Sequence, residues 1–159
     1  MIRPGAPDDA EAIARVQVET WQVAYAHALP QDRLAALSVD ERAAMHRRRP
    51  PIVAEIDGEV VGFVAVGPTH DDEGDGELFA IYVHPRHWST GVGRELMRTG
   101  EERLRELGHR AAHLWVLDDN PRARRFYEAA GWSADGAARK IRLSGFVLSE
   151  VRYVKTLAR

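Results

Sequence analysis

The sequence predicts an α/β fold of the mixed α+β kind, in which two helical segments come first and strands and helices then alternate. Three observations support this fold class. Apolar residues near the N-terminus recur every three or four positions, as in an amphipathic helix. Two β-branched runs flank Asp57-Gly58, a pair that favours a tight hairpin turn. Gly108 and Gly131 each follow a helical pattern, where glycines that end helices stand.

The first predicted element is a helix that begins after Pro7. Asp8 is the expected N-cap, and Glu11 three residues later is expected to complete a capping box. Its inward face is predicted to carry Ile13, Val16, Thr20 and Val23. A second helix is predicted over about 31–48, because Pro50-Pro51 cannot continue it.

A β-hairpin follows, with strands expected over about 52–56 and 60–66. The polar, glycine-rich stretch 71–76 predicts a loop and lacks the twelve-residue ligand spacing of a calcium loop. The next strand is expected over about 78–83. These segments place three strands in succession before the next helix.

That helix has four apolar residues on one side, namely Val92, Leu96, Leu104 and Leu107. It is expected to end at Gly108, and a strand over about 112–117 comes next. Asn120-Pro121 supplies a helix cap and a first-turn proline for a short helix. The tail alternates, with Val151 and Tyr153 on one face, which predicts a final strand or a pair of strands.

Composition excludes several classes of function. A chain of 159 residues suits a single domain over 1–159. It has no cysteine, which removes disulfides, thiolate metal sites and cysteine nucleophiles. The net charge of -2 gives no overall attraction to nucleic acid, and Arg47-Arg48-Arg49 is interpreted as the cationic last turn of a helix. Without a signal-like N-terminus or a membrane-spanning apolar run, a cytoplasmic protein with no membrane partner is expected.

Four histidines have the spacing of metal ligands, in the pairs His84 with His87 and His109 with His113. The first pair lies in a predicted turn, and the second straddles a loop and a strand. No cysteine or clustered carboxylate completes a four-ligand set. We therefore expect no metal and interpret these histidines as solvated or hydrogen-bonded.

A strand, a glycine loop and a helix start follow one another at Ser89, Thr90, Gly91, Val92, Gly93 and Arg94. N–H groups at a helix start have no partner within the helix and carry partial positive charge, so this order of elements favours an anion. Gly91 and Gly93 let the backbone approach a phosphate closely, and Arg94 adds a cation. Two glycines alone also suit an ordinary strand-to-helix turn. The full ATP-binding and dinucleotide-binding patterns are absent.

Two longer motifs surround this loop. The first comprises Val83-His84-Pro85, Trp88, Ser89-Thr90, Gly91-Val92-Gly93 and Leu96. The second comprises Asn120, Ala123, Phe126-Tyr127-Glu128 and Gly131-Trp132. The opening Ile2-Arg3-Pro4 and the closing Glu150-Val151-Arg152-Tyr153 extend the pattern over essentially the whole chain. Together these residues resemble the GCN5-related N-acetyltransferase (GNAT) family.

The resemblance implies the GNAT acyl-CoA N-acyltransferase fold, with a central mixed, mostly antiparallel sheet flanked by helices. It implies direct transfer of acetyl from acetyl-CoA, the co-substrate, to a primary amine, without a covalent enzyme intermediate. A small molecule is the expected acceptor. A non-catalytic acyl-CoA-binding module and an acetyltransferase for protein or peptide amines stay open as alternatives. At the level of the family, a homodimer is also implied.

The resemblance also implies site residues. Tyr127 falls at the position of the general acid, and Glu77 falls where some members hold the general base. Core packing is the alternative for Tyr127, and membership of a solvated acidic loop is the alternative for Glu77. Cofactor contacts are implied for Ile81, Val83, Ser89, Thr90, Gly91, Val92, Gly93, Arg94, Asn120 and Tyr127.

Two further positions bear on binding. Trp88 stands where the family usually has Arg or Gln, so its indole is expected to pack beside the loop and not to contact a phosphate. The first helix and the following loop offer Trp21, Tyr25 and His27 as lining for the amine acceptor. Core packing fits Trp21 at least as well.

Overall fold

A computed structural model describes residues 1–27, 29–32, 38–71, 75–143 and 145–157. The helices are α1 (Ala10–Ala24), α2 (Val39–Arg48), α3 (Val92–Glu106) and α4 (Pro121–Ala129). The strands are β1 (Ile2–Pro4), β2 (Ile52–Ile56), β3 (Glu59–Pro68), β4 (Gly76–Val83), β5 (Ala111–Leu117), β6 (Ser133–Leu143) and β7 (Phe146–Thr156).

Within the described ranges, the strands form a seven-stranded sheet in the order β1-β2-β3-β4-β5-β7-β6. The pairs β1–β2, β2–β3, β5–β7 and β6–β7 are antiparallel, whereas β4 and β5 run parallel. The predicted mixed, mostly antiparallel sheet with flanking helices is thus confirmed. None of the helices in these ranges has the length and apolar character needed to cross a bilayer.

Backbone packing divides the chain into two compact units. Unit 1 comprises Met1–Ala65 and Ala80–Gly100, and unit 2 comprises Val66–Phe79 and Glu101–Arg159. The expectation of a single domain over 1–159 stays a prediction.

In unit 1, α1 lies on the sheet through a cluster of buried side chains, namely Ile13, Val16, Val53 and Phe63. A second cluster consists of Ala10, Ala14 and Ala43, small residues that let α1 and α2 approach closely. Val23 does not share this inward face, because its side chain is 52% exposed.

The start of α1 differs from the sequence prediction. Asp9 and not Asp8 occupies the N-cap, and it makes no side-chain capping bond to the helix. Its carboxylate instead accepts from Arg3 at 2.8 and 3.0 Å and from the Ala6 N–H at 2.8 Å. Glu11 pairs with an arginine one turn later. The predicted capping box is wrong because Pro7–Asp9 form a short 3-10 helix, which places Asp8 inside a turn and Asp9 at the start of α1.

The hairpin, the third strand and the later elements match their predicted positions closely. Asp57 and Gly58 have φ of 51° and 81°, the left-handed values that the predicted turn requires. The Oδ1 atom of Asn120 accepts from the Ala123 N–H at 3.2 Å, which confirms the predicted cap of α4. The tail forms two strands, β6 and β7. Leu107 is 44% exposed because α3 ends at Glu106, so its predicted place on the buried face is wrong.

Parts of two predictions lie outside the described residues. These are the stretch 33–37 of the predicted second helix and the stretch 72–74 of the acidic loop. Of the described residues of the predicted second helix, 31 and 32 are helical, but Ser38 is extended and caps α2 by accepting from the Glu41 N–H, so the predicted continuous helix is wrong at Ser38.

Candidate functional site

The loop between β4 and α3 gathers backbone donors. Gly91 has φ of +93°, a left-handed value that only glycine adopts without strain, and a Cβ there would meet nothing within 4 Å. Across the described chain, the N–H groups of residues 90–94 have no backbone acceptor, and the first helical bond runs from the Glu95 N–H to the Gly91 carbonyl. Free donors at a helix start and the positive end of its dipole suit a phosphate group.

Two side chains flank this loop in different ways. Arg94 is exposed and forms no ion pair with any carboxylate in the described ranges, so its charge is available to an anion. The indole N–H of Trp88 donates to the Val83 carbonyl at 2.7 Å. Trp88 therefore ties the end of β4 to the loop, which confirms the expectation that it packs there.

The parallel pairing of β4 with β5 is short. It comprises Gly76 with Ala112 and Glu77 with His113. The residues Ile81 and Val83, predicted to contact the acyl group and its arm, lie in the part of β4 beyond these two pairs. Their amides are therefore not engaged in the β5 ladder.

Glu77 lies within a hydrogen-bonded group of side chains. Its Oε1 accepts from the Thr69 hydroxyl at 2.8 Å and lies 3.2 Å from Nε2 of His113. The same Nε2 lies 2.9 Å from Oδ2 of Asp71. The side chains of Glu77 and His113 are 11% and 6% exposed, against 37% for Asp71. The alternative that Glu77 belongs to a solvated acidic loop is therefore wrong.

The carboxyl of Asp71 is held in its ionised form. Burial acts to raise its pKa, but hydrogen bonds from Trp115 and His113 and the charge of Arg139 hold the pKa below its ordinary value. The Trp115 contact runs from the indole N–H to Oδ2 at 3.4 Å. The guanidinium of Arg139 lies 4.3 Å from the centre of the Trp115 ring.

The histidines differ from one another in their partners. Asp71, Glu77 and His113 bring atoms of the kind that bind metals within 4.8 Å of one another, a group of three that does not complete a four-ligand set. His109 binds Asp75 instead, and His84 binds Glu19 at 2.8 Å. The described histidines thus do not converge as the sequence spacing suggested. His113 is hydrogen-bonded, as interpreted from the sequence, and one of its partners is a carboxylate 42 residues away along the chain.

Two buried tyrosines in unit 2 differ in the groups that surround them. Tyr127 lies on α4 with its ring 5.6 Å from Phe126 and 6.2 Å from Tyr153. The hydroxyl of Tyr153 donates to Glu128 at 2.7 Å and accepts from Arg124 at 3.0 Å. Because its hydroxyl is held between these two charged groups, Tyr153 is a structural tyrosine, and Tyr127 is the candidate for chemistry.

The predicted acceptor residues form an aromatic group in unit 1. The Trp21 ring lies 5.9 Å from Tyr25 and 6.1 Å from Tyr82, a residue that the sequence analysis missed. The guanidinium of Arg42 lies over Trp21 at 4.7 Å. The Trp21 indole N–H is buried and has no hydrogen-bond partner in the described ranges. His27 is exposed beyond the end of α1.

Comparison with known proteins decides the family. Residues 10–132 match the Acetyltransferase (GNAT) family, which covers more than half of the chain. The chain belongs to this family. It is accordingly a GNAT N-acetyltransferase, with acetyl-CoA as its co-substrate.

Individual relatives agree with this assignment. The GNAT chain is 32% identical over 126 residues to the uncharacterized N-acetyltransferase YuaI of Bacillus subtilis, covering 76% of this chain and 73% of that protein. It is 35% identical over 136 residues to an uncharacterized N-acetyltransferase of Archaeoglobus fulgidus, covering 79% and 88%. A mycothiol acetyltransferase of Kineococcus radiotolerans is 33% identical over 108 residues, which span 68% of this chain and 33% of that protein.

Solved structures share the fold. The PaiA N-acetyltransferase of Thermoplasma acidophilum, in complex with coenzyme A, gives a TM-score of 0.76 at 18% identity and covers 98% of both chains. A GCN5-related N-acetyltransferase of Rhodopseudomonas palustris gives 0.79 at 23% identity, covering 98% of this chain and 94% of that one. At such low sequence identities, the similarity shows only that the GNAT enzyme has the same fold as these two proteins.

Proposed function

We propose that this GNAT enzyme transfers acetyl from acetyl-CoA directly to the primary amine of a small molecule. Glu77 is the general base, Tyr127 is the general acid, and the loop over 89–94 binds the pyrophosphate of coenzyme A. The observation that carries the proposal is the buried Glu77 carboxylate, oriented by Thr69 and His113 at the start of β4.

The base must remove a proton from the acceptor. An amine with a pKa of about 10 is mostly protonated at neutral pH and cannot attack in that form. The Oε1 atom of Glu77 is occupied by Thr69 and His113, whereas Oε2 has no hydrogen bond to any described residue. Oε2 is therefore the atom that we assign to the amine, directly or through one water.

The general acid acts on the leaving group. When bound, acetyl-CoA supplies an acetyl thioester, whose sulfur leaves as the amine is acylated. The Tyr127 hydroxyl donates a hydrogen bond to that sulfur. Because a tyrosine has a pKa of about 10, above the roughly 8.5 of a thiol, this bond stabilises the leaving group without complete proton transfer being required.

Cofactor contacts come from backbone and side-chain donors. The N–H groups and side chains over Ser89, Thr90, Gly91, Val92, Gly93 and Arg94 hold the phosphates. The backbone amides of Ile81 and Val83 bind the acetyl carbonyl and the pantetheine arm, an arrangement worth a few kcal/mol in such sites. Asn120 uses its Oδ1 to cap α4, which leaves its amide N–H₂ to donate to the cofactor.

The acceptor is assigned to the aromatic group of Trp21 and Tyr25. Aromatic faces bind ammonium groups, and because the Arg42 guanidinium already lies over Trp21, we assign the amine to the Tyr25 ring and the adjoining wall to Trp21. The match to mycothiol acetyltransferases, at low identity, supports a small acceptor. Acetyl transfer to a protein or peptide amine is the alternative.

A thiol-release assay with acetyl-CoA tests the function. The panel comprises simple primary amines, aminoglycosides, polyamines, and peptides with a free N-terminus or lysine. Turnover of a small amine supports the proposal. Turnover of peptides alone favours the protein-directed alternative. Binding of acetyl-CoA in calorimetry without turnover of any amine would leave a non-catalytic acyl-CoA-binding module.

We also propose a homodimer and a cytoplasmic location. Light scattering on the purified protein tests the first, where a mass of about 17.8 kDa would contradict it. Fractionation of the source cells tests the second, where recovery outside the cytoplasm would contradict it.

A further inference from the structure

One histidine nitrogen joins two carboxylates in unit 2. Nε2 of His113 lies 2.9 Å from Oδ2 of Asp71 and 3.2 Å from Oε1 of Glu77. Ionised carboxylates only accept hydrogen bonds, so the nitrogen between them carries a proton. The shorter distance directs that proton mainly to Asp71, while Thr69 supplies the donor for Glu77.

Of the three groups, Asp71 is the most exposed. The side chains of Glu77 and His113 are 11% and 6% exposed, whereas that of Asp71 is 37% exposed. A proton on Glu77 is therefore separated from solvent on its Oε1 side by His113, and Asp71 is the member of the group in contact with water.

We propose that Glu77, His113 and Asp71 form a proton relay, which carries the proton of the acceptor amine from the buried carboxylate to solvent. This inference rests on the proposed base role of Glu77. It adds His113 and Asp71 as positioning residues, which act on the reaction through Glu77.

The relay transfers one proton from the acceptor to water in each turnover. An N–H bond of the ammonium acceptor breaks and an O–H bond forms at Oε2 of Glu77. In the imidazolium form of His113, which carries a proton on each ring nitrogen, the Nε2 proton moves to Oδ2 of Asp71 and leaves a neutral imidazole. A half-turn of the Glu77 carboxyl group, whose last torsion is broadly two-fold, brings its new proton to the vacated Nε2. Asp71 releases its proton to water, and Glu77 is ionised again.

The properties of Asp71 suit the last position. Its pKa is held low by its hydrogen bonds to Trp115 and His113, despite partial burial. An acid of low pKa does not retain a proton at neutral pH but passes it to water. Glu77, which is far less exposed, has no such direct exchange on its Oε1 side.

The arginines and the lysine near the relay keep their charge at working pH, so a pH dependence arises from the relay's own members. Arg139 of β6 and Arg152 of β7 face it across the Trp115 ring and stay charged at all working pH values. They pair with Glu150 and Asp135 respectively. Lys155 of β7 pairs with Glu101.

A second pair, His109 with Asp75, lies in the same unit and resembles the outer half of the relay. Asp75 also accepts from the backbone N–H groups of Arg110 and Ala111. Because this pair does not touch Glu77 in the described contacts, His109→Gln is a matched control for His113→Gln.

The kinetic test compares Asp71→Asn, His113→Gln and His109→Gln with the unsubstituted enzyme between about pH 5.5 and 9.5. Both relay variants are expected to lose roughly tenfold in kcat at neutral pH, with less than about twofold change in KM for acetyl-CoA. In Asp71→Asn the acid limb of kcat/KM moves to lower pH, because a negative charge beside the base has gone. Its residual rate rises with the concentration of a small buffer base. His109→Gln keeps the wild-type profile.

These outcomes separate a relay from a packing role. Asp71→Asn preserves shape at a partly exposed position, and its thermal unfolding checks that the fold is kept. A folded Asp71→Asn enzyme with an unchanged pH profile and no response to buffer overturns the relay. Equal losses in His113→Gln and His109→Gln also overturn it.

A second measurement does not depend on activity. NMR of the labelled histidine rings follows the titration curve of each histidine in the unsubstituted protein, Asp71→Asn and Glu77→Gln. The His113 curve is expected to move to lower pH in both variants, while the His109 curve stays in place. A His113 curve unaffected by either change overturns the relay. The His113 curve could respond to both substitutions in a protein that acetylates no amine. That result would contradict the proposed function and not the interaction among Glu77, His113 and Asp71.

Discussion

The loop over 89–94 offers backbone N–H groups from consecutive residues, whereas Thr69, Asp71, Glu77 and His113 offer side chains from positions up to 44 residues apart. The loop depends on left-handed φ angles at Ser89 and Gly91, and the glycine pattern in the sequence reveals the second of them. The side-chain group depends on strand pairing, which brings Glu77 opposite His113. Local sequence patterns therefore predict a phosphate-binding loop more readily than they predict a group of side chains that could transfer a proton. Four substitutions test this comparison.

The largest effect is expected for Glu77→Gln, which keeps the shape of the side chain and removes the base. We expect kcat at neutral pH to fall by roughly 10²–10³-fold, with partial recovery at higher pH, where more of the amine is already free. A pH profile of acetyl transfer measures this. Glu106→Gln, at an exposed end of α3, is the control. A defect of equal size at every pH would assign the base to another group.

The next effect concerns Tyr127→Phe. We expect kcat to fall by about 10²-fold while the Kd of acetyl-CoA changes less than about twofold, because the hydroxyl acts on the leaving thiolate. Stopped-assay kinetics and calorimetry together measure the two quantities. Tyr153→Phe should instead lower the unfolding temperature, since its hydroxyl binds Arg124 and Glu128. Equal losses of turnover and of cofactor binding in Tyr127→Phe would argue against the acid role.

A smaller effect is expected in the loop. Gly91→Ala forces a Cβ into a left-handed conformation, costing about 1 kcal/mol or more, and disturbs the donors around it. We expect the Kd of acetyl-CoA to rise about tenfold, measured by calorimetry, with little change in kcat. Gly108→Ala is the matched control, because Gly108 has φ of +91° and likewise has nothing within 4 Å of a Cβ. If both variants weakened binding equally, the loop would not be the phosphate site.

The smallest effect is expected at the ion pair of Arg3 with Asp9, two residues six positions apart to which we assign no role in the chemistry. The hydrogen bond from Arg3 lowers the pKa of Asp9, so its ionised form stabilises the fold. Asp9→Asn should lower the free energy of unfolding by about 1 kcal/mol at pH 7. The pKa of Asp9 is lowered in the folded state, so this difference is complete above the unfolded-state pKa of about 4. It disappears as the pH falls through the lower pKa of the folded state. Urea unfolding from pH 7 to pH 3 measures the change, and acetyl transfer at pH 7 should be unaffected.

Much of the fold was readable from local signals. The Asp57-Gly58 turn, the Asn120 cap and Gly131 with φ of +93° are each fixed by neighbouring residues. The strand β1 was not predicted because three residues are too few to show alternation. The misplaced cap of α1 follows from the short 3-10 helix at Pro7–Asp9, which the sequence pattern did not indicate.

The candidate site was only partly readable. Tyr127 and the loop residues followed from motifs, and Glu77 followed from its distance to Gly91 along the chain. The surroundings of Glu77 could not be read, because Thr69 and His113 reach it only through the bend before β4 and the parallel pairing with β5. Tyr82 was missed beside Trp21 for the same reason, since a strand residue and a helix residue meet there.

The pairing of Glu77 with His113 also limits how such an enzyme can change. In a strand, a shift of one residue turns every side chain to the opposite face, so a single deletion in β4 would remove Glu77 from His113. Insertions and deletions are therefore poorly tolerated in β4, whereas the aromatic side chains of α1 can be exchanged one at a time. Under the proposed assignment of the acceptor site, new acceptors are best sought by varying Trp21 and Tyr25, with the spacing of residues along β4 left intact.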